Sequence, residues 1–320
     1  MKEIAITDIE NISIGQTENA DAGTGCTVFV AENGMRAGLD IRGGGPAGRE
    51  TALLDPLAAA KEIHALVLGG GSAFGLAAAG GVMAYLEERG IGFDVGVTKV
   101  PLVVQSDIFD LTVGRSDIRP DYYMGYQAAK AALEAPNYRD GDHGAGCGAT
   151  VGKLLGMEYC TKTGIGSYAV QIGELKIGAV VVLNALGDVF DHDTGEQIAG
   201  LLNEKKNGFR STKELMMQKF EVRENKFVSN TTIAAVVTNA VFEKPQLCKI
   251  AGMAHDGMAR SISPVHTSAD GDSIYALSVG EVEADIDAAG VLAAEVLSRA
   301  ITRAVKSAES AYGFKAAKEL

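Results

Sequence analysis

Three absences narrow the field before any motif is read. The four cysteines, Cys26, Cys147, Cys160 and Cys248, are scattered and form no CxxC pair. Neither a disulfide framework nor a thiolate zinc site is indicated, and a reducing compartment is the expectation. No Lys/Arg cluster stands out in a chain of net charge -12, a balance that repels phosphate backbones and speaks against nucleic acid or an anionic membrane as partner. No apolar run approaches bilayer length, and the opening MKEIAITDIENISIG alternates polar and apolar residues where a signal peptide needs an apolar core. A soluble, cytoplasmic protein that handles small molecules or peptides is expected.

What is present is enough apolar material for a large core: 47% of 320 residues. Five short β-branched or apolar runs, at 26-30, 64-68, 177-183, 232-237 and 273-278, read as strands, several of them apolar on both faces and so covered on each side. Helical spacing predicts one helix from about Val282 to Tyr312, stopped by Gly313, with Leu292, Val296, Leu297, Ala300, Ile301, Ala304, Val305 and Ala308 on one stripe. A second follows Pro245 through Leu247, Ile250, Ala251, Ala254 and Met258, and a third covers roughly Phe74 to Arg89 before Gly90. Strands interspersed with helices predict an α/β layered protein. The charged stretch 203-230 reads as a surface connection, the kind of segment where proteolysis concentrates.

Several candidate motifs fail on inspection. The strand, glycine turn and helix of LGGGSAFGLAAAGG (68-81) departs from a dinucleotide fingerprint at Phe74, and no GK[ST] follows. The same phenylalanine replaces the closing glycine of a hydrolase elbow around Ser72. A tight turn with free backbone N-H groups remains, so Gly70, Gly71 and Ser72 are candidates for lining a substrate pocket. Two DGD triplets, Asp140-Asp142 and Asp270-Asp272, lack the further ligands of a calcium loop and read as surface turns. His143 and His192 sit beside aspartates without metal-ligand spacing.

The junction SNTTIAAVV (229-237) carries a different chemistry. A hydroxyl at Thr231 is held within a five-membered ring of the Asn230 carbonyl, so attack there replaces amide by ester with most of the positioning already done. Water then frees a chain beginning at Thr231, whose α-amine, with a pKa of about 7.7-8.0, serves as base to its own hydroxyl. The plain alternative is that threonines open a strand. Thr232 is the neighbouring rival.

Resemblance weighs on the choice. DIRGGGPAGRETALLDP (40-56), ALVLGGGSAFGLAAAGGVMAYLEERGIGF (65-93), GAGCGATVGK (144-153), VVLNALGDV (181-189), NTTIAAVVTNA (230-240) and PVHTSADGDSIYALS (264-278) occur in one order along the chain. So arranged, they resemble the P1 family of self-processing peptidases, the group of L-aminopeptidase/D-esterases, β-peptidyl aminopeptidases and nylon-oligomer hydrolases. The resemblance implies a four-layer αββα sandwich, similar to N-terminal nucleophile hydrolases but with different connectivity. It implies cleavage between Asn230 and Thr231, giving intertwined pieces 1-230 and 231-320, and Thr231 as the nucleophile. It also implies Asp270 and Asp272 as an acidic pair beside that nucleophile, Asn184 as an oxyanion donor and Lys153 in the same site. A tyrosine of some relatives falls near Phe109, which donates no hydrogen bond. No metal or organic cofactor is implied, the substrate is a peptide or amide, and a homo-oligomer, a tetramer of processed pairs, is expected. The competing expectations are an acyl transferase resembling ornithine acetyltransferases, and a non-catalytic small-ligand-binding homologue.

Overall fold

The structure is a computed structural model that describes residues 1-218 and 230-320. All five apolar runs are strands. The principal framework is β1 (Ser13–Asn19), β2 (Thr24–Ile41), β3 (Ile63–Gly69), β4 (Val103–Asp107), β5 (Ile165–Ile172), β6 (Leu175–Asn184), β7 (Thr231–Ala240) and β8 (Ser273–Val282). The helices around it are α1 (Ala78–Glu88), α2 (Tyr122–Glu134), α3 (Lys244–Ser261) and α4 (Ile286–Lys306).

β2 holds the architecture together by serving two sheets. Its residues Arg36 to Ile41 pair antiparallel with β8, while Cys26 to Val30 pair antiparallel with β3, and the register shifts between Val30 and Met35. Gly34, at φ +82°, lies in that shift and takes up a backbone conformation that side chains disfavour. The order β5-β6-β7-β8-β2 continues into β3 and β4, with β1 also on β2. β7 and β8 are parallel, as are β3 and β4.

Alternation along the strands then sorts side chains into three cores. Val180, Val182, Ile233, Ala235, Val237 and Leu277 meet Phe29, Leu66, Leu68 and Val104 between the two sheets. The opposite faces of β6, β7 and β8, through Val181, Ala234, Val236, Ile274 and Ala276, pack on α3 and α4. Val28, Val30, Val67 and Val103 face α1 and α2. The result is four layers, αββα, as the resemblance implied. Each fully buried Leu, Ile or Val contributes about 1.5-3 kcal/mol to holding the layers together. Among the described residues no helix is long and apolar enough to cross a membrane.

Two expectations need correction. The helix predicted over 282-312 is shorter at both ends: Val282 still pairs with Ala240 in the sheet, and the Asp285 carboxylate caps the helix start by accepting the Ala288 N-H. The helix stops at Ser307, and Gly313 sits instead in the turn between Ala311 and Phe314. The third helix begins as a 3-10 turn, Ser72–Ala77, and becomes α-helical only at Ala78. In the 203-230 connection a short helix covers Thr212–Gln218, and 219-229 lie outside the described residues.

α1 and α2 touch at two glycines. A methyl group on Gly81 would lie 1.7 Å from the Tyr122 carbonyl oxygen, and one on Gly125 1.9 Å from that of Ala78. Neither carbonyl has room to yield, since both contacts are backbone. Gly125→Ala is therefore expected to force the helices apart and cost about 1-3 kcal/mol, or more, read as a lowered urea midpoint with the slope unchanged.

Candidate active site

The end of β6, the start of β7 and the loop before β8 fall at one level of the sheet. Asn184, the last residue of β6, is the register partner of Thr231, the first of β7. On the other side Asn230 bridges Asp270 in parallel fashion. Strand pairing alone thus gathers Asn184, Asn230, Thr231 and Asp270, and all four are buried.

The Thr231 hydroxyl donates to the Asn230 carbonyl oxygen at 2.5 Å, and the Gly271 backbone N-H donates to the same oxygen at 2.9 Å. The carbonyl therefore carries two donors, one of them the threonine of its own peptide bond. Gly271 must stay bare, because a methyl there would sit 2.8 Å from the Thr231 hydroxyl oxygen. Thr232 takes the other side of the strand, as the pleat requires, and its backbone N-H, not its hydroxyl, meets the acidic pair.

Both carboxylates of the second DGD triplet are buried, which corrects the surface-turn expectation. Arg42 and Gly45 N-H groups donate to the carbonyls of Asp272 and Asp270, at 3.0 and 2.8 Å, so the glycine run at 43-45 straps the triplet down. A methyl on Gly43 would lie 2.3 Å from the Asp272 nitrogen. Asp272 accepts Thr232 N-H on one oxygen (2.7 Å) and His266 Nδ1 (2.8 Å) and N-H (3.1 Å) on the other. Asp270 accepts the Thr267 N-H and hydroxyl, at 2.7 and 2.5 Å. Burial first, and the neighbouring Asp272 charge second, push Asp270 up to about 6. The first triplet is also tied down: Asp140 accepts the Tyr138 and Ser167 hydroxyls, and Asp142 pairs with the buried Lys162.

Lys153 is not a solvated lysine. Its ammonium is buried and donates to Asn184 Oδ1 at 2.6 Å and to the Asn184 carbonyl at 3.1 Å. Loss of solvent pushes it down to about 8, against the pull of nearby Asp270 and Asp110. The Asn184 side chain is fully engaged at its oxygen, which also accepts the Thr150 N-H, and its nitrogen donates to the Phe109 carbonyl at 3.0 Å. Phe109 thus enters through its backbone, where no tyrosine hydroxyl is needed.

The glycine turn joins the same assembly through residues 108-110. Ser72 N-H donates to the Ile108 carbonyl (2.9 Å), and Gly71 N-H to Asp110 Oδ1 (2.7 Å). Asp110, pushed up to about 6 by burial, also accepts the Thr24 hydroxyl. Gly70 cannot carry a side chain there, because its methyl would overlap the Asp110 carboxylate at 2.0 Å. The link from this turn to Asn184 runs through Phe109, whose carbonyl accepts the Asn184 amide. Gly271, the strap at 43-45 and His266 were not singled out from the sequence as site residues. The runs GGG and DGD were the available signals, since a glycine in such a place marks close backbone approach.

Arranged this way, the site offers a nucleophilic hydroxyl in contact with a peptide carbonyl, a backbone donor on that carbonyl's oxygen, two carboxylates and an ammonium, all away from solvent. This is the equipment of acyl transfer. Among the described residues there is no cluster of three or more His, Cys, Asp or Glu side chains placed to hold a metal ion.

Known proteins similar to this chain include aminopeptidases and an oligomer hydrolase. An uncharacterized aminopeptidase of Mycobacterium leprae is 38% identical, over 97% of this chain and 92% of its own length. A 6-aminohexanoate-oligomer endohydrolase of Agromyces is 29% identical, over 95% and 87%. The solved L-aminopeptidase D-Ala-esterase/amidase of Ochrobactrum anthropi, described as a variant of the Ntn hydrolase fold, superposes with a TM-score of 0.68 at 16% identity, over 95% of this chain and 86% of that one. That structural likeness establishes the fold. Because residues 5-319 match Peptidase family S58, nearly the whole chain, this protein belongs to that family of peptidases.

Proposed function

We propose that the protein is a self-processing aminopeptidase or amidohydrolase that cuts its own Asn230-Thr231 bond and then works through an acyl-enzyme on Thr231. The observation that carries this reading is the Asn230 carbonyl, held by the Thr231 hydroxyl at 2.5 Å and by Gly271 N-H at 2.9 Å. Membership of the peptidase family and aminopeptidase relatives support the hydrolytic outcome, and nothing in them favours an acyl transferase.

In the first step Thr231 Oγ1 bonds to the Asn230 carbonyl carbon and gives up its proton. The oxygen gains negative charge and keeps the Gly271 N-H, which is already in place as an oxyanion donor. Asp270, which bridges Asn230 and is pushed up to about 6, is assigned as the acceptor for the proton. The C-N bond then breaks, the proton passes to the nitrogen, and an ester links Asn230 to Thr231. Water hydrolyses the ester, leaving a carboxylate at Asn230 and an α-amine at Thr231.

In the mature form that amine takes the hydroxyl proton as Oγ1 attacks a substrate amide, and water later releases the acyl group. An N-terminal residue or a comparable amine-bearing unit is the proposed acyl donor. The two pieces stay joined because β7, from the second, lies between β6 of the first and β8 of the second, and β8 in turn pairs with β2 of the first.

Intact-mass measurement of the purified protein is expected to show fragments 1-230 and 231-320, and of Thr231→Ala only the full-length chain. A single uncut mass from wild type that hydrolyses aminoacyl-p-nitroanilides would defeat the nucleophile assignment. Fragment formation is expected to speed up as pH rises through about 6, where Asp270 loses its proton and becomes a base. A time course of band intensities from pH 5 to 8 gives the profile. Asn184→Ala strips the Lys153 ammonium of its 2.6 Å partner and is expected to lower kcat by about two to three powers of ten, the typical loss for a disturbed oxyanion site.

A further inference from the structure

A chain of hydrogen bonds runs from the acidic pair through the interior to β2. Asp272 Oδ2 faces His266 Nδ1 at 2.8 Å, and His266 Nε2 faces His255 Nδ1 at 3.2 Å. His255 Nε2 then faces the Asp40 carbonyl oxygen at 3.1 Å and its carboxylate at 3.3 Å. His255 is fully buried on α3, and the two rings meet edge to face with centroids 4.6 Å apart. His266 adopts a left-handed backbone, φ +56°, that turns its own N-H and ring towards the same Asp272 oxygen.

Counting protons along this chain gives a definite answer. Both ends are acceptors only: a carboxylate at Asp272 and oxygens at Asp40. Three gaps separate them, and each gap needs one proton to be a hydrogen bond. Two neutral imidazoles bring two protons. With two, one gap sets acceptor against acceptor, and the fully buried His255 ring borders two of the three gaps. With three, every gap is closed.

We propose that the pair carries this third proton as an imidazolium at His266, and that this charge is the positioning element that fixes Asp272 beside the Thr231 strand. Asp272 in turn holds the Thr232 N-H at 2.7 Å, one residue from the nucleophile. The catalytic part of the proposal rests on the Thr231 reading given above, whereas the proton count does not. The charge belongs on His266 because its Nδ1 lies 2.8 Å from the buried Asp272 carboxylate, whereas His255 Nε2 lies 3.3 Å from the more exposed Asp40 carboxylate, and because burial pushes His255 down to about 4. The charged groups facing the pair are Asp272, with Asp270 two residues before it, from the loop, Asp40 from β2, and Arg42 just beyond the end of that strand. Arg42 is bound to Asp40 at 3.0 Å and to the Gly252 carbonyl of α3 at 2.7 Å, so it offsets part of the Asp40 charge at the far end and leaves Asp272 as the counter-charge.

The direct test is long-range proton-nitrogen correlation NMR of the histidine rings in the purified wild-type protein near pH 7. Protons on both nitrogens of His266 and on Nε2 alone of His255 are expected. A His266 ring with a single proton overturns the proposal. The kinetic arm uses His266→Asn, since asparagine tolerates a left-handed backbone and its amide can replace the Nδ1-H donor without the charge. Its kcat is expected to fall about tenfold to a hundredfold, the loss of a charge-assisted hydrogen bond, with KM unchanged. The pH profile of kcat is expected to differ between wild type and the variant, which carries no ionisable ring at position 266. An unchanged kcat and an unchanged pH profile in His266→Asn would overturn the positioning role. If wild type neither cuts itself nor hydrolyses amides, the proposed function fails, while the ring spectra still decide the proton count.

Discussion

Everything in the site depends on one peptide carbonyl. Asn230 presents its oxygen to two donors, and the distances of 2.5 and 2.9 Å leave it polarised before any reaction begins. The arrangement is a product of sheet geometry: β7 starts where β6 ends, and the segment before β8 runs parallel at the same level. A shift of β7 by one residue would turn Thr231 to the opposite face and bring Thr232 to the carboxylates. The apolar residues Ile233, Ala235 and Val237 on one face and Ala234 and Val236 on the other oppose that shift, since each set fits a different core.

Burial gives the cluster its reactivity and its need for balance. Lys153, Asp270, Asp272 and Asp110 share a region from which solvent is excluded, and an isolated charge there would cost several kcal/mol. The cost shows as opposing movements: the lysine comes down to about 8 while Asp270 and Asp110 rise to about 6. Groups that sit far from neutrality in water are thereby brought close to it. On the proposed reading, groups drawn toward neutrality suit a site that must take up a proton and return it.

The strands and their order of appearance were legible because buried strands announce themselves by β-branched runs; a polar pair abutting one marks the junction at Asn230-Thr231, but cleavage there is implied only by resemblance. Asn184, Lys153, Asp270 and Asp272 entered only through resemblance, and their spacing along the chain shows why. Asn184 meets Thr231 across 47 residues by register alone. Lys153 looks like any lysine after a glycine until the fold encloses it. The DGD triplet read as a surface turn because the strap that covers it, Gly43 to Gly45, lies more than 220 residues earlier. The helix ends were misjudged for a local reason: Val282 is apolar and in phase, but the ladder to Ala240 claims it.

Cutting the chain at residue 230 would normally free both new ends, and a nucleophile on a free end is a poor catalyst. Here the strand that begins at Thr231 is held on both edges by ladders, with Thr232 N-H fixed on Asp272 and Asn184 alongside. The conformational entropy that a loose terminus would have to surrender in each turnover has been surrendered during folding. If the chain is cut there as proposed, the position left by the Asn230 acyl group is the one a substrate acyl group would occupy, with Gly271 N-H directed at its carbonyl oxygen. On the proposed reading, the precursor peptide bond is a template for the substrate bond, and the shape of the residue that precedes Thr231 bears on which acyl groups the mature site accepts.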